Sequence, residues 1–102
     1  VEAVLAAHSI TTVSYFLERG ANKDMSRAAL RWLLETFEIA SCDCSLLMES
    51  LPQETREYED AVTSVAAKRW NCGYIITRNC PDFESSQVPA ITPADYLLQF
   101  PA

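Results

Sequence analysis

The sequence predicts an α/β fold in which a parallel sheet is sandwiched between helices. Short apolar runs alternate along the chain with longer amphipathic segments, which is the pattern of repeated strand–helix units. One of these runs, Tyr74–Thr77, is apolar almost throughout, as expected for a strand at the centre of a parallel sheet. The chain has 102 residues and an apolar content of 49%, which fits a single domain with an ordinary core.

The first part of the chain is predicted to form two strands and two helices. The run Val1–Ala7 is predicted to be a strand, and His8–Arg19 has apolar residues at helical spacing. Asn22 or Asp24 can cap a second helix, because both side chains accept hydrogen bonds from backbone N–H groups of a first turn. A brief strand over Phe37–Ala40 then follows.

The remaining chain is predicted to contain three helices and two strands. In order, these are a short helix capped by Asp43, a helix over Tyr58–Trp70, the strand Tyr74–Thr77, a strand over Val88–Ile91 and a last helix reaching Phe100. Pro89 predicts that its strand lies at or near an edge of the sheet, because proline has no N–H group to donate. Thr92 followed by Pro93 is typical of the cap and first position of a helix.

The charge and the apolar pattern exclude some classes of function. A net charge of −6 argues against nucleic-acid binding by bulk electrostatic attraction, which needs clustered Lys and Arg. It is compatible with a nuclease, because bound cations can then face the phosphate in place of basic side chains. No apolar run reaches the roughly 20 residues of a membrane span, so no membrane association is expected.

The four cysteines are predicted to be free thiols. Cys42 and Cys44 are too close in sequence for a zinc knuckle, and Cys72 and Cys80 have no histidine near them. Scattered thiols in a chain with a full apolar core indicate a reducing compartment. We therefore expect a cytoplasmic protein. The alternative to free thiols is that the cysteines bind a metal or form disulfides.

Three carboxylates form the most specific pattern in the chain. Glu59 and Asp60 lie in the first turn of a helix, and Asp82 lies in the polar loop after the strand Tyr74–Thr77. Ligands of open α/β sheets bind where strands end and helices begin. Asp60 and Asp82 therefore look like ligands of a hard divalent cation such as Mg²⁺ or Mn²⁺.

Each of these residues also has an ordinary structural interpretation. Asp60 can be a first-turn acid favoured by the helix dipole, and Glu59 can be its solvated neighbour. Asp82 can be a turn residue. Arg78 and Asn79 can fix the loop or can contact a phosphate oxygen.

An ordered series of segments resembles a known family. The segments are His8–Leu17, Phe37–Ile39, Tyr58–Val62, Ile75–Asn79 with Asp82 and Phe83, and Ile91–Pro93. In this order and spacing they resemble a PIN domain of the bacterial branch associated with toxin–antitoxin operons. The resemblance covers nearly the whole chain, and the series carries it rather than any single motif. It implies a three-layer α/β/α fold.

The resemblance also implies an activity and partners. PIN domains are metal-dependent ribonucleases that gather acidic residues around Mg²⁺ or Mn²⁺. The implied substrate is RNA, and the implied partner of such a toxin is an antitoxin protein. Asp60 matches the helix-borne acid of the family, and Asp82 matches an acid of one variant of its last motif, so both are expected to be catalytic metal ligands.

The family's acid set is incomplete in this sequence. Thr12 and Asn79 occupy positions where many members carry an acid. The family's first acid ends an N-terminal strand that has no counterpart here, so we expect the chain to be N-terminally incomplete and weak or inactive as it stands. An apolar surface left by such a strand predicts a homodimer.

Two other functions stay open at this point. A PIN fold whose acids have decayed would be a binding module for nucleic acid or protein. A nucleotide-binding α/β domain is the weaker alternative, because the chain has only two glycines and no glycine-rich loop.

Overall fold

The computed structural model of the chain describes residues 3–101 and has the predicted α/β character. Five α-helices and two small parallel sheets alternate along these residues. The chain divides into two compact units, Val1–Cys42 and Asp43–Ala102. Each unit contains one of the two-stranded sheets.

The first unit contains two strands and the two helices between them. They are β1 (Val4–Ala6), α1 (Ala7–Gly20), α2 (Lys23–Thr36) and β2 (Glu38–Ala40). β1 and β2 are parallel, with Leu5 opposite Ile39. These elements agree with the predicted ones, and the first two residues of the predicted strand Val1–Ala7 lie outside the described residues.

The start of α2 shows how local chemistry fixes this unit. Of the two predicted caps, Asn22 is the N-cap, and its side chain accepts a hydrogen bond of 2.8 Å from the backbone N–H of Met25. The hydroxyl of Ser26, which is buried, donates to the Asn22 carbonyl at 3.0 Å. Both bonds remain within one helical turn, so the sequence alone is enough to specify them.

The second unit contains three α-helices, two strands and a short 3-10 helix. They are α3 (Cys44–Ser50), α4 (Tyr58–Arg69), β3 (Ile75–Ile76), the 3-10 helix Cys80–Phe83, β4 (Ala90–Ile91) and α5 (Pro93–Gln99). The 3-10 helix was not predicted from the sequence. Its region was expected to be a polar loop.

Among the described elements of the second unit, helix α4 has the most buried residues. From Ala61 to Ala67 every residue except Thr63 is buried. Leu46 of α3 is only 1% exposed, and α3 packs against α4. An apolar cluster joins Ala67 of α4 to Ile75, Phe83 and Val88. α4 therefore packs against α3 and also takes part in this cluster.

The strand Tyr74–Thr77 was predicted to lie at the centre of a parallel sheet. Within residues 3–101, β3 is parallel to β4 in a two-stranded sheet, so a larger sheet with β3 at its centre stays a prediction. Ile75 is buried, whereas Ile76 is 49% exposed, because successive side chains of a strand point to opposite faces. A short apolar run shows that a strand forms, but it does not specify how many neighbours the strand has.

The last strand and helix agree with the sequence prediction. Pro89 lies just before β4, and its carbonyl accepts a hydrogen bond of 2.9 Å from the Ile75 N–H. Thr92 caps α5, since its hydroxyl accepts from the Asp95 N–H at 3.1 Å. The rings of Tyr96 and Phe100 both contact the ring of Tyr74, which attaches α5 to the segment before β3.

Asp43 offers a test of cap strength in this fold. Its carboxylate accepts from the Leu46 N–H at 2.9 Å, and it also lies 3.8 Å from Arg69, in an exposed ion pair. Asp43→Ala removes both interactions and should destabilise the protein by about 1 kcal/mol, as a lost cap does. Asp43→Asn keeps a capping oxygen and loses only the ion pair. It should destabilise the protein by about a few tenths of a kcal/mol, because exposed ion pairs contribute little.

Urea unfolding of both variants measures the two losses. Equal losses would contradict this expectation, because the ion pair rather than the cap would then be the dominant interaction.

Candidate functional site

The first turn of α4 carries the acidic pair singled out in the sequence. The polar segment before it is ordered by its own hydrogen bonds, since the Thr55 hydroxyl donates to the Glu57 carbonyl at 2.8 Å. The Tyr58 hydroxyl donates to the carbonyl of Leu47 in α3, which fixes the start of α4. Asp60 is then half-buried, while Glu59 is exposed.

The 3-10 helix holds Asp82 between two fixed points. On one side, the Asp82 N–H donates to the carbonyl of Asn79 at 3.0 Å, and the Asn79 N–H donates to the Thr77 hydroxyl at 3.1 Å. On the other side, Phe83 is buried in the apolar cluster that includes Ala67 of α4. The backbone at Asp82 is therefore held by hydrogen bonds before it and by apolar packing after it.

A part-buried pair of hydroxyls connects the same loop to α4. Ser64 lies one turn after Asp60, and its hydroxyl donates to the Ser86 hydroxyl at 2.7 Å. The Ser86 hydroxyl also accepts from the Val88 N–H at 3.1 Å. The loop that follows Asp82 is thus bonded to the helix that carries Asp60.

Asp60 and Asp82 lie within electrostatic range of each other. Burial raises the pKa of Asp60 above its ordinary value of 3.8, and the negative charge of Asp82 raises it further. Glu57 and Glu59 add smaller effects of the same sign. The site therefore disfavours the ionised form of Asp60, and a bound cation would reverse this preference.

The other predicted site residues are divided between the two units. Glu59 adds its charge to the environment of Asp60. Arg78 and Asn79 are both exposed and precede the 3-10 helix. Thr12 is exposed on α1 of the first unit, whereas Asp60 and Asp82 belong to the second unit.

A polar cavity of about 280 Å³ adjoins Asp82. Its lining residues are Glu54, Thr55, Arg56, Pro81, Asp82, Glu84 and Ser85. The segment 54–56 forms one wall, and it was missed in the sequence interpretation. Its only signal was a polar run directly before the helix that carries the acids.

The described residues supply few ligands for a metal ion. Within residues 3–101 there is no group of three or more His, Cys, Asp or Glu side chains that could hold one. The four cysteines form no disulfide within the described residues. Asp60 and Asp82 can supply two carboxylates, so most of the coordination of a cation there would come from water.

Another cavity, larger than the one beside Asp82, has a different character. It has a volume of about 550 Å³ and belongs to the first unit, where α1 and α2 line it. Its lining residues are Ile10, Thr11, Ser14, Arg27, Leu30, Arg31, Leu34 and Glu35. One carboxylate beside two arginines does not suit a divalent cation, so cavity size does not identify the candidate metal site.

Comparisons with known proteins do not add to this description. No protein-family model, curated protein or solved structure matches the chain. Within residues 3–101, no helix combines the length and the apolar character that crossing a membrane requires. A function must therefore be inferred from the residues of this chain.

The raised pKa of Asp60 predicts a pH-dependent stability difference. The folded protein binds this proton more tightly than the unfolded chain does. The favourable contribution of protonated Asp60 to the free energy of unfolding is complete below pH 3.8. It is lost as the pH rises through the pKa of Asp60 in the folded protein. Without divalent cations, Asp60→Asn should therefore be more stable than the wild type at pH 7, and this advantage should disappear below pH 3.8.

Urea unfolding across this pH range, with EDTA present, measures the difference. Asp95→Asn is the matched control, because Asp95 is also a first-turn acid and its substitution removes the same charge. A stability gain that is equal in the two variants would reflect only the net charge of −6. It would contradict a specific electrostatic cost at Asp60.

Proposed function

We propose that this chain is a PIN-like domain that acts as a metal-dependent ribonuclease, the toxin of a type II toxin–antitoxin pair. Asp60 and Asp82 would be its metal ligands and catalytic residues, with Mg²⁺ or Mn²⁺ as the cofactor. One observation carries the proposal: the loop that follows Asp82 is bonded to α4 through Ser86 and Ser64, and this brings Asp82 near enough to help raise the pKa of Asp60. Helices alternating with parallel strands support a three-layer PIN-like fold.

The chemistry of the donor atoms fits a hard cation. Carboxylate oxygens are the protein ligands that Mg²⁺ prefers, and Mg²⁺ often binds through one or two carboxylates while keeping several waters. Bound at this site, the ion would supply a water of lowered pKa and a positive charge for phosphate oxygens. The task of Asp60 and Asp82 is to hold that charge beside the substrate.

Protonation of Asp60 should oppose metal binding. A carboxylate must lose its proton before it can ligate a cation, so the proton and the metal compete. Because the pKa of Asp60 is raised, this competition extends to a higher pH than it would for an ordinary aspartate. Metal affinity should therefore increase with pH until Asp60 is fully ionised.

A second candidate function is a binding module in which the acid set has decayed. Two observations favour it. Thr12 is not acidic, and the described residues contain no group of three metal ligands. In this alternative, the Asp60–Asp82 pair would be a remnant, and the protein would bind RNA or another protein without cleaving it.

The proposed partners are an antitoxin protein and a second copy of the chain. Several large apolar side chains are exposed and could support such contacts. Phe16 in the first unit is 64% exposed, and Leu98 in the second is 80% exposed. Leu97 and Phe100, close to Leu98 in sequence, are exposed as well, and contiguous exposed apolar residues indicate protein–protein contact.

Metal binding is the first test of the proposal. The chain should bind Mn²⁺ weakly, because only two protein ligands are available. Asp60→Asn and Asp82→Asn should each lower the affinity by at least an order of magnitude, since each keeps the side-chain size but removes a ligating charge. Titration of Mn²⁺ by water-proton relaxation or calorimetry measures this, with Asp95→Asn as the control.

RNA cleavage distinguishes the two candidate functions. Weak Mg²⁺- or Mn²⁺-dependent cleavage that disappears in Asp60→Asn would support the ribonuclease. Mn²⁺ binding that is unchanged in both Asp60→Asn and Asp82→Asn would contradict the metal site. RNA binding without cleavage at any metal concentration would favour the binding module.

The proposed homodimer predicts a molar mass of about twice 11.4 kDa. Light scattering coupled to size exclusion, at tens of micromolar protein, measures this mass. A dilution series controls for nonspecific association, because a specific dimer dissociates to a single smaller species. A uniform mass of 11.4 kDa at the highest concentration would contradict the dimer.

A further inference from the structure

We propose that the polar cavity beside Asp82 is a phosphodiester-binding subsite in which Arg56 contacts the backbone of a single-stranded RNA. This inference rests on the proposed function, because it takes RNA as the substrate of the adjacent acids. It assigns a ligand-binding role to Arg56, which the sequence interpretation did not include.

The walls of the cavity are held in place by hydrogen bonds. The Ser85 hydroxyl donates to the Glu54 carbonyl at 2.6 Å, which joins the two walls across 31 residues of sequence. The Thr55 hydroxyl donates to the Glu57 carbonyl at 2.8 Å. Arg56 lies between Thr55 and Glu57, which are bonded to each other, so its backbone is held on both sides. Arg56 is exposed and is one of the residues that line the cavity.

The charge of Arg56 is not committed to a partner in the protein. Within residues 3–101, no carboxylate lies within 4.0 Å of its guanidinium, although Glu54 and Glu84 line the same cavity. By contrast, Arg27, Arg31 and Arg69 all form ion pairs. The five N–H donors of Arg56 are therefore available to an external anion.

The composition of the cavity indicates which anion it suits. Its lining contains no aromatic side chain on which a base could stack, so contact with the nucleic-acid backbone is favoured over contact with a base. The planar guanidinium can bind two phosphate oxygens at once. A volume of about 280 Å³ is near the lower limit for ligand pockets, about 300 Å³, and suits a small group rather than a whole nucleotide chain.

The surrounding carboxylates favour a phosphodiester within a strand over free inorganic phosphate. Glu54, Asp82 and Glu84 outnumber the single arginine of the cavity and repel a small dianion. A phosphodiester carries a single charge, and an adjacent phosphate of the same strand can approach a cation held by Asp82 and Asp60. RNA binding should therefore be stronger with Mn²⁺ than with EDTA.

Fluorescence anisotropy with a labelled single-stranded RNA oligomer and the full chain tests this subsite. With Mn²⁺ present, Arg56→Gln should weaken RNA binding about tenfold, as expected for a lost charge-assisted hydrogen bond. The slope of log affinity against log salt should fall by about 0.7, the value for one lost phosphate contact to a single strand. Arg56→Lys should recover only part of the affinity, because lysine cannot bind bidentately.

Arg31→Gln is the matched control, because it removes the same charge from an exposed arginine of the first unit. Equal effects of Arg31→Gln and Arg56→Gln would overturn the inference, as would an absence of RNA binding by the wild type. Displacement of the RNA by inorganic phosphate at an equal concentration of phosphate groups would also overturn it. Such displacement would identify the cavity as a site for small anions.

Mn²⁺ titration without RNA separates this inference from the proposed function. Arg56→Gln should leave Mn²⁺ affinity unchanged or raise it, whereas Asp82→Asn should lower it. If RNA binding is insensitive to Arg56→Gln while Mn²⁺ binding still depends on Asp82, the subsite is wrong and the metal site stands. If Arg56→Gln weakens RNA binding but Mn²⁺ binding is independent of Asp82, the subsite stands and the metal site is wrong.

Discussion

The burial of helix α4 is the constraint on which the second unit depends. Its buried residues are small, with Ala61, Ser64 and Ala67 among them, so neighbouring segments can approach its backbone closely. Phe83 of the 3-10 helix packs in the same apolar cluster as Ala67. Ser86, shortly after the 3-10 helix, accepts a hydrogen bond from Ser64. The position of Asp82 relative to Asp60 is therefore a consequence of how α4 is packed.

This packing brings like charges together at the start of α4. Glu57, Glu59 and Asp82 all disfavour the ionised form of Asp60, in addition to the effect of burial. A helix N-terminus favours a negative charge, yet the pKa of Asp60 is raised, so burial and repulsion outweigh the helix dipole. A local arrangement that opposes folding in this way is typical of functional sites, although ion-pair networks also perturb pKa values.

The sequence predicted the features that depend on neighbouring residues. The caps Asn22, Asp43 and Thr92 each accept a hydrogen bond from the residue three positions later, so a few letters of sequence specify them. The number of strands beside Tyr74–Thr77 depends on distant segments, and within residues 3–101 only the pairing of β3 with β4 is shown. The wall containing Arg56 was missed for the same reason, because it meets Ser85 only in the folded chain.

The structural and functional interpretations of Asp60 are not exclusive, and the pKa of Asp60 shows how they are related. A first-turn acid that served only the helix dipole would gain nothing from further carboxylates nearby, and here those carboxylates act against it. A hard cation would offset the repulsion between these carboxylates, because each of them attracts the ion. If Asp60 and Asp82 hold a cation, as proposed, the same packing of α4 that destabilises the ionised Asp60 would favour that cation, so stability of the metal-free fold and metal affinity would oppose each other.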